Sequence, residues 1–126
     1  MNDIPELRKR ANSLKLLYVE DNEEARESML VILKLFFADI VIAVDGNDGL
    51  KKFKSNNIDL IITDINMPNL NGLEMAQKIK EFNQEVPILI LSAHNESDYF
   101  LQGIQIGIEG YLLKPLEMEQ FVVVLD

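Results

Sequence analysis

Cysteine is absent from all 126 residues, which excludes a disulfide framework and any thiolate metal site and is compatible with a reducing compartment. No apolar run approaches the roughly 18 residues of a membrane span, and the opening MNDIPELRKR lacks the apolar core of a signal peptide. Positive charge is scarce as well. Against 21 Asp+Glu stand 12 Lys+Arg, a formal charge of -9, which repels phosphate backbones and anionic lipid heads. Neither nucleic acid nor a membrane is expected as a direct partner, and the chain reads as soluble and cytoplasmic. There is no linker, repeat or low-complexity tract. What is present is a chain 48% hydrophobic, long enough for one domain to bury most of its apolar surface.

Short apolar runs rich in β-branched residues recur: LKLLYV at 14–19, DIVIAV at 39–44, IDLIIT at 58–63, VPILIL at 86–91 and GYLLK at 110–114. They are continuous rather than alternating, as in strands buried on both faces. Segments of helical length lie between them. In EEARESMLVILKLFF, Met29, Ile32, Leu33 and Phe36 follow i, i+3, i+4, i+7 spacing and share a face. Strand and helix alternate about five times, which predicts right-handed βαβ crossovers and a parallel sheet covered on both sides. Helix starts are marked by Asp21 with Glu24 in capping-box spacing, by Asn71-Gly72, and by Asn95 or Ser97. The last segment, LEMEQFVVVLD, is apolar on two sides because Val122 and Val123 widen the stripe of Phe121, Val124 and Leu125. Such a helix predicts either a neighbour, whether a second copy or sequence beyond Asp126, or a frayed but self-contained end.

In a doubly wound sheet, ligands gather outside the carboxyl ends of the strands. The first strand ends in Glu20-Asp21, the third in Asp64, the fourth in Ser92 and the fifth in Lys114-Pro115, so three carboxylates, a hydroxyl and an ammonium are expected on one rim. Carboxylates some 4 Å apart repel by about 4 kcal/mol at an effective dielectric near 20. A hard divalent cation removes that repulsion, and Mg²⁺ takes one or two carboxylates plus a phosphate oxygen. Lys114 and one Mg²⁺ would offset the three carboxylates and leave a site able to accept a phosphoryl group. A flavin mononucleotide site would need small hydroxyl and glycine residues after the first strand, where Glu20-Asp21-Asn22 stands. A phosphohydrolase using an aspartyl nucleophile would carry a second carboxylate two positions on, where this chain has Asn66. Singly, each residue has an ordinary structural role: Asp21 as a cap, Asp64 in a turn, Ser92 at a strand end, Lys114 in solvent, Tyr111 in the sheet, His94 in a polar loop. Their conjunction on separate strand ends argues for a site.

The segments YVEDNEEAR, DLIITDINMPNLNG, PILILSA and GIEGYLLKP, in this order, resemble the receiver domain of two-component response regulators, of the chemotaxis-regulator kind, from about Lys15 to Asp126. The resemblance implies a flavodoxin-like (βα)₅ doubly wound parallel sheet with strand order 2-1-3-4-5. It implies that Asp64 takes a phosphoryl group from a sensor histidine kinase or phosphotransfer protein. The metal would be Mg²⁺, with Mn²⁺ able to substitute, held by Asp21, Asp64 and the backbone carbonyl of Asn66, while Glu20 holds metal-bound water. Lys114 would pair with Asp64 and the phosphoryl oxygens, its peptide bond to Pro115 being cis. Ser92 and Tyr111 would act as the switch pair. Met67-Pro68 and Gly72 match the loop marks, and Asn66 and His94 occupy the two variable positions beside the acyl phosphate.

The expected function is therefore a phosphoacceptor that catalyses its own Mg²⁺-dependent phosphorylation and dephosphorylation, and acts on no external substrate. The switched surface would be the fourth helix, fifth strand and fifth helix, where Ile104, Ile106, Ile108, Val122 and Val123 suggest phosphorylation-favoured homodimerisation or docking of an output segment. The alternative is a phosphorylation-independent interaction module on the same fold. Residues 1–13 form an extension with a short helical turn expected at Asp3-Ile4-Pro5, and residues 14–126 form the domain, a piece of a longer regulator.

Overall fold

Five short strands carry the architecture: β1 (Lys15–Val19), β2 (Asp39–Ala43), β3 (Leu60–Asp64), β4 (Ile88–Ser92) and β5 (Gly110–Leu113). They come from a computed structural model that describes residues 13–65, 67, 70–92 and 105–113, with the backbone alone at 92, 111 and 113. Every neighbouring pair is parallel and the order is β2-β1-β3-β4-β5. The helices α1 (Glu23–Leu33), α2 (Gly46–Ser55) and α3 (Gly72–Phe82) follow β1, β2 and β3. The expected strand order and each of the expected strands are therefore observed, with boundaries shifted by two residues or fewer.

The continuous apolar runs have a simple cause. Successive side chains of a strand point to opposite faces, and here each face has its own core. Leu16 and Tyr18 of β1 pack with Met29, Leu33, Phe36, Phe37, Leu60 and Ile62. Leu17 and Val19 pack with Ala43, Ile61, Leu73, Ala76, Ile79 and Ile90. Fully burying one such side chain contributes about 1.5–3 kcal/mol, so a polar residue within the run would be costly on either face. Burial on both faces holds for β1 and β3 but not for β2, an edge strand whose Ile40, Val41 and Ile42 are half-buried and whose Asp39 is exposed. On α1, Met29 and Leu33 are buried and Ile32 is partly so, as the spacing predicts; Phe36 is buried in the turn after the helix ends.

One cap confirms the punctuation, one was not read from the sequence, and one corrects it. Asn71 and Glu74 form a reciprocal capping box at the start of α3, with Glu74 N–H donating to Asn71 Oδ1 at 2.8 Å and Asn71 N–H to Glu74 Oε1 at 3.1 Å. Asp45 caps α2, accepting from Asp48 N–H at 2.7 Å. For α1 the cap is Asn22, not Asp21: Asn22 Oδ1 accepts from Ala25 N–H at 2.8 Å. Both residue types cap well, and the shift by one position leaves the Asp21 carboxylate outside the cap. The expected fourth-helix start at Asn95 or Ser97, the N-terminal helical turn and the ragged final helix lie outside the described residues.

Candidate functional site

Because the strands are parallel, all their carboxyl ends open on one rim. β3 is central and pairs with β1 and β4, placing Thr63 beside Val19 and Asp64 beside Leu91. The last residue of this rigid strand is Asp64, only 7% exposed; Glu20, just past β1, is 1% exposed, and Asp21 beside it faces solvent. One carboxylate oxygen from each of Glu20, Asp21 and Asp64 lies within 4.8 Å of the others. The three acidic residues expected on one rim are thus brought together. The structure places Ser92 at the end of β4, with its backbone paired to Leu113, and Tyr111 inside β5 opposite Ile90. Asn66, Lys114, Pro115 and His94 lie outside the described residues, as do the side chains of Ser92 and Tyr111.

Local hydrogen bonds hold the acids in place. Ile65 N–H donates to Asp64 Oδ1 at 2.9 Å, and Asn22 N–H donates to Glu20 Oε2 at 3.2 Å. The backbone of Glu20 is held between two elements: its N–H donates to the Ala43 carbonyl at 3.1 Å, and its carbonyl accepts from Arg26 Nη1 at 2.9 Å. Thr63 Oγ1 donates to the Asp64 carbonyl at 3.0 Å. The loop after β3 is drawn in tightly, because Gly72 N–H donates to the Ile65 carbonyl at 2.8 Å and a Cβ at Gly72 would run into the Asp64 carbonyl oxygen. Glycine at the first residue of α3 is what lets this loop close over the strand end. Arg26, Thr63 and the closeness of Gly72 to Asp64 were not readable as site features in the sequence.

The electrostatics follow from the geometry. Two buried carboxylates at the 4.8 Å limit repel by about 3–4 kcal/mol at an effective dielectric near 20. The effect reaches a neighbour: the Tyr18 phenol is held above its ordinary ionisation range by burial first, then by the negative charges of Glu20 and Asp64, with Arg26 opposing. All three donors are carboxylate oxygens, the chemistry a hard divalent cation prefers over a soft one. Glu20, Asp21 and Asp64 therefore fit a metal such as Mg²⁺. At the opposite rim, a cavity of about 610 Å³ between α3 and residues 105–107 is lined by Gln77, Lys80, Gln84 and Gln105 among others, and no acidic cluster of this kind occurs there among the described residues.

Comparisons with known proteins identify the family. The family model for the response regulator receiver domain matches residues 16–126. The chain is similar to the response regulator ArlR of Staphylococcus saprophyticus, 35% identical over 108 residues that cover 86% of this chain and 49% of that protein. It is also similar to the transcriptional regulatory protein PrrA of Mycobacterium tuberculosis, 32% identical over 110 residues, 87% of this chain and 47% of that one. It spans about half the length of these relatives. Among solved structures, the N-terminal domain of an uncharacterized protein from Wolinella succinogenes superposes with a TM-score of 0.82 at 38% identity, covering 90% of this chain and 91% of that one. The chemotaxis protein CheY4 of Vibrio cholerae gives 0.81 at 28% identity, covering 89% and 95%.

Proposed function

The chain belongs to the response regulator receiver domain family of two-component signalling, and from that membership we propose that Asp64 is its phosphoacceptor. The observation that carries the proposal is a nearly buried carboxylate at the end of a central strand, with the oxygens of Glu20 and Asp21 within 4.8 Å. An Asp64 carboxylate oxygen attacks the phosphorus of a kinase phosphohistidine. The O–P bond forms as the N–P bond breaks, and the imidazole leaves and takes up a proton. The phosphoryl group ends on the chain itself. Rigidity supplies much of the rate, since a strand fixed by backbone pairing on both sides holds the attacking oxygen in line.

Glu20, Asp21 and Asp64 would hold Mg²⁺ together with the Asn66 carbonyl, Glu20 acting through metal-bound water. When bound, Mg²⁺ supplies positive charge to the phosphoryl oxygens and cancels their repulsion by the acidic rim. Lys114 would stabilise the same oxygens, and Ser92 would donate to one of them after transfer, Tyr111 following by rotation. These movements would bias the two states of the fifth strand and its flanking helices. Ile106 and Ile108, expected to enlarge an apolar surface there, are partly buried against the core under β4, so less of them is open to a partner than the sequence suggests. Homodimerisation through that surface remains a proposal, as does a sensor kinase or phosphotransfer protein as donor. Residues 14–126 would be the receiver unit of a longer regulator located in the cytoplasm.

Incubation with Mg²⁺ and acetyl phosphate, followed by intact-mass measurement, tests the reading. The expected result is a gain of one phosphoryl group, lost when EDTA replaces Mg²⁺ and abolished by Asp64→Asn. No mass gain by the wild-type chain would favour the phosphorylation-independent module instead.

A further inference from the structure

The described large apolar side chains most open to solvent are Val31 at 69% and Phe82 at 65% exposed, and they lie on opposite sides of the sheet. Val31 belongs to an outer face of α1 that also carries Glu24, Glu27 and Ser28, all exposed and at the 3–4 residue spacing of one helical face. The inner face is fixed by Met29 and Leu33. Leu35, 44% exposed in the following turn, extends the stripe. This surface is acidic at one end, at Glu24 and Glu27, and apolar at the other, where the exposed Lys34 stands between Val31 and Leu35.

Phe82 closes a groove of about 370 Å³ between α2 and α3, lined by Leu50, Lys54, Lys78 and Glu81. Lys54 Nζ lies 4.5 Å from the centre of the Phe82 ring, a cation–π contact that leaves much of the ring in solvent. Lys51, exposed, is three residues before Lys54 on the same helix. Neither Lys51 nor Lys78 has a carboxylate at ion-pair distance among the described residues, whereas Lys52 is paired with Asp48 and Lys80 with Glu109. In a chain of charge -9, this is a local basic surface with an aromatic anchor.

We propose that the α2–α3 groove of one chain receives the outer face of α1 from a second copy. Val31 and Leu35 would meet Phe82 and Leu50, and Glu24 and Glu27 would meet Lys54 and Lys78. Charge complementarity names the occupant: the groove wants carboxylates beside an apolar side chain, and the chain presents that combination on the far side of its own sheet. A phosphate backbone is disfavoured by the overall charge. The two patches differ and lie on opposite sides of the sheet, so the contact is heterologous, and each pair it forms leaves a free groove at one end and a free α1 face at the other. Both are small, so the association is weak and is read at high protein concentration. Association of this kind needs neither Mg²⁺ nor a phosphoryl group.

Sedimentation equilibrium in metal-free buffer without a phosphodonor tests this. The wild-type average mass should rise with concentration without levelling at a dimer, and the rise should shrink in high salt as the charges are screened. Phe82→Ser with Lys54→Glu removes the groove, and Val31→Ser with Glu27→Lys removes the stripe. All four positions are exposed, so circular dichroism should show both variants folded. Each variant alone should associate at least tenfold more weakly than wild type, while their equimolar mixture should form a 1:1 complex that grows no further. A wild-type chain that is monomeric at about 1 mM, variants that associate like wild type, or a mixture that stays monomeric would each overturn the proposal.

Discussion

Tyr18 has its side chain in the core that α1 covers, yet the charges of Glu20 and Asp64 both act on it. Burial raises the cost of forming a phenolate, and two nearby carboxylates raise it further, so the folded-state value lies above the unfolded value of about 10. The sign follows from proton counting. Above pH 10 the unfolded chain has released the Tyr18 proton and the folded chain has not, so the contribution is fully present below that pH and is lost as pH rises beyond it. Alkaline titration followed by phenolate absorbance should show the Tyr18 signal, identified by its loss in Tyr18→Phe, appearing only with unfolding. Tyr18→Phe should flatten the loss of stability above pH 10 in urea unfolding. At this scale the acids were legible because strand-end position alone sends Glu20, Asp21 and Asp64 to one rim. Arg26 was not, because its hydrogen bond goes to the Glu20 carbonyl, and backbone acceptors leave no trace in residue types.

At the scale of elements, most of the fold can be read from continuous apolar runs, since only strands covered on both faces tolerate Leu60-Ile61-Ile62 without a polar break. What escapes is register between a helix start and its cap, because Asp21 and Asn22 are equally good caps and only backbone geometry chooses Asn22. Long-range polar contacts escape too. Lys80 ends α3 looking like an ordinary helical lysine, but its ammonium is buried, donating to the Gln84 and Val86 carbonyls at 3.1 and 2.8 Å and to Glu109 at 2.9 Å. That pair joins segments 29 residues apart and ties the start of β5 to α3. Gly72 shows the reverse, a residue readable as a loop mark whose physical reason appears only in the packing. Gly72→Ala puts a methyl group against the Asp64 carbonyl, and overpacking of this kind costs typically 1–3 kcal/mol. Urea unfolding should register that loss. Mg²⁺ affinity should fall as well, because the backbone that moves is that of Asp64, a proposed metal ligand; Asn71→Ala, which removes only a cap worth about 1 kcal/mol, should leave affinity unchanged.

For the molecule as a whole, the acidic rim sets function against stability. Glu20 and Asp64 are buried acids held near a third carboxylate in a chain that is already strongly negative, and the part of their repulsion that neighbouring donors and the proposed Lys114 pairing do not offset is relieved in the unfolded chain, where they separate. Asp64→Asn removes one of these charges while preserving shape, and the amide oxygen can still accept from Ile65 N–H as Asp64 Oδ1 does. In metal-free buffer this variant should therefore unfold at a higher temperature than wild type. Ligand binding to the folded state alone adds RT ln(1 + [L]/Kd), about 2.7 kcal/mol at a hundredfold excess over Kd, so Mg²⁺ should raise the wild-type midpoint strongly and that of Asp64→Asn far less. Differential scanning calorimetry across a Mg²⁺ series would show the two midpoints converging or crossing. If wild type were the more stable chain without metal, the partners of Asp64 would outweigh its repulsion by Glu20 and Asp21, and repulsion would no longer be the reason for a cation at this rim.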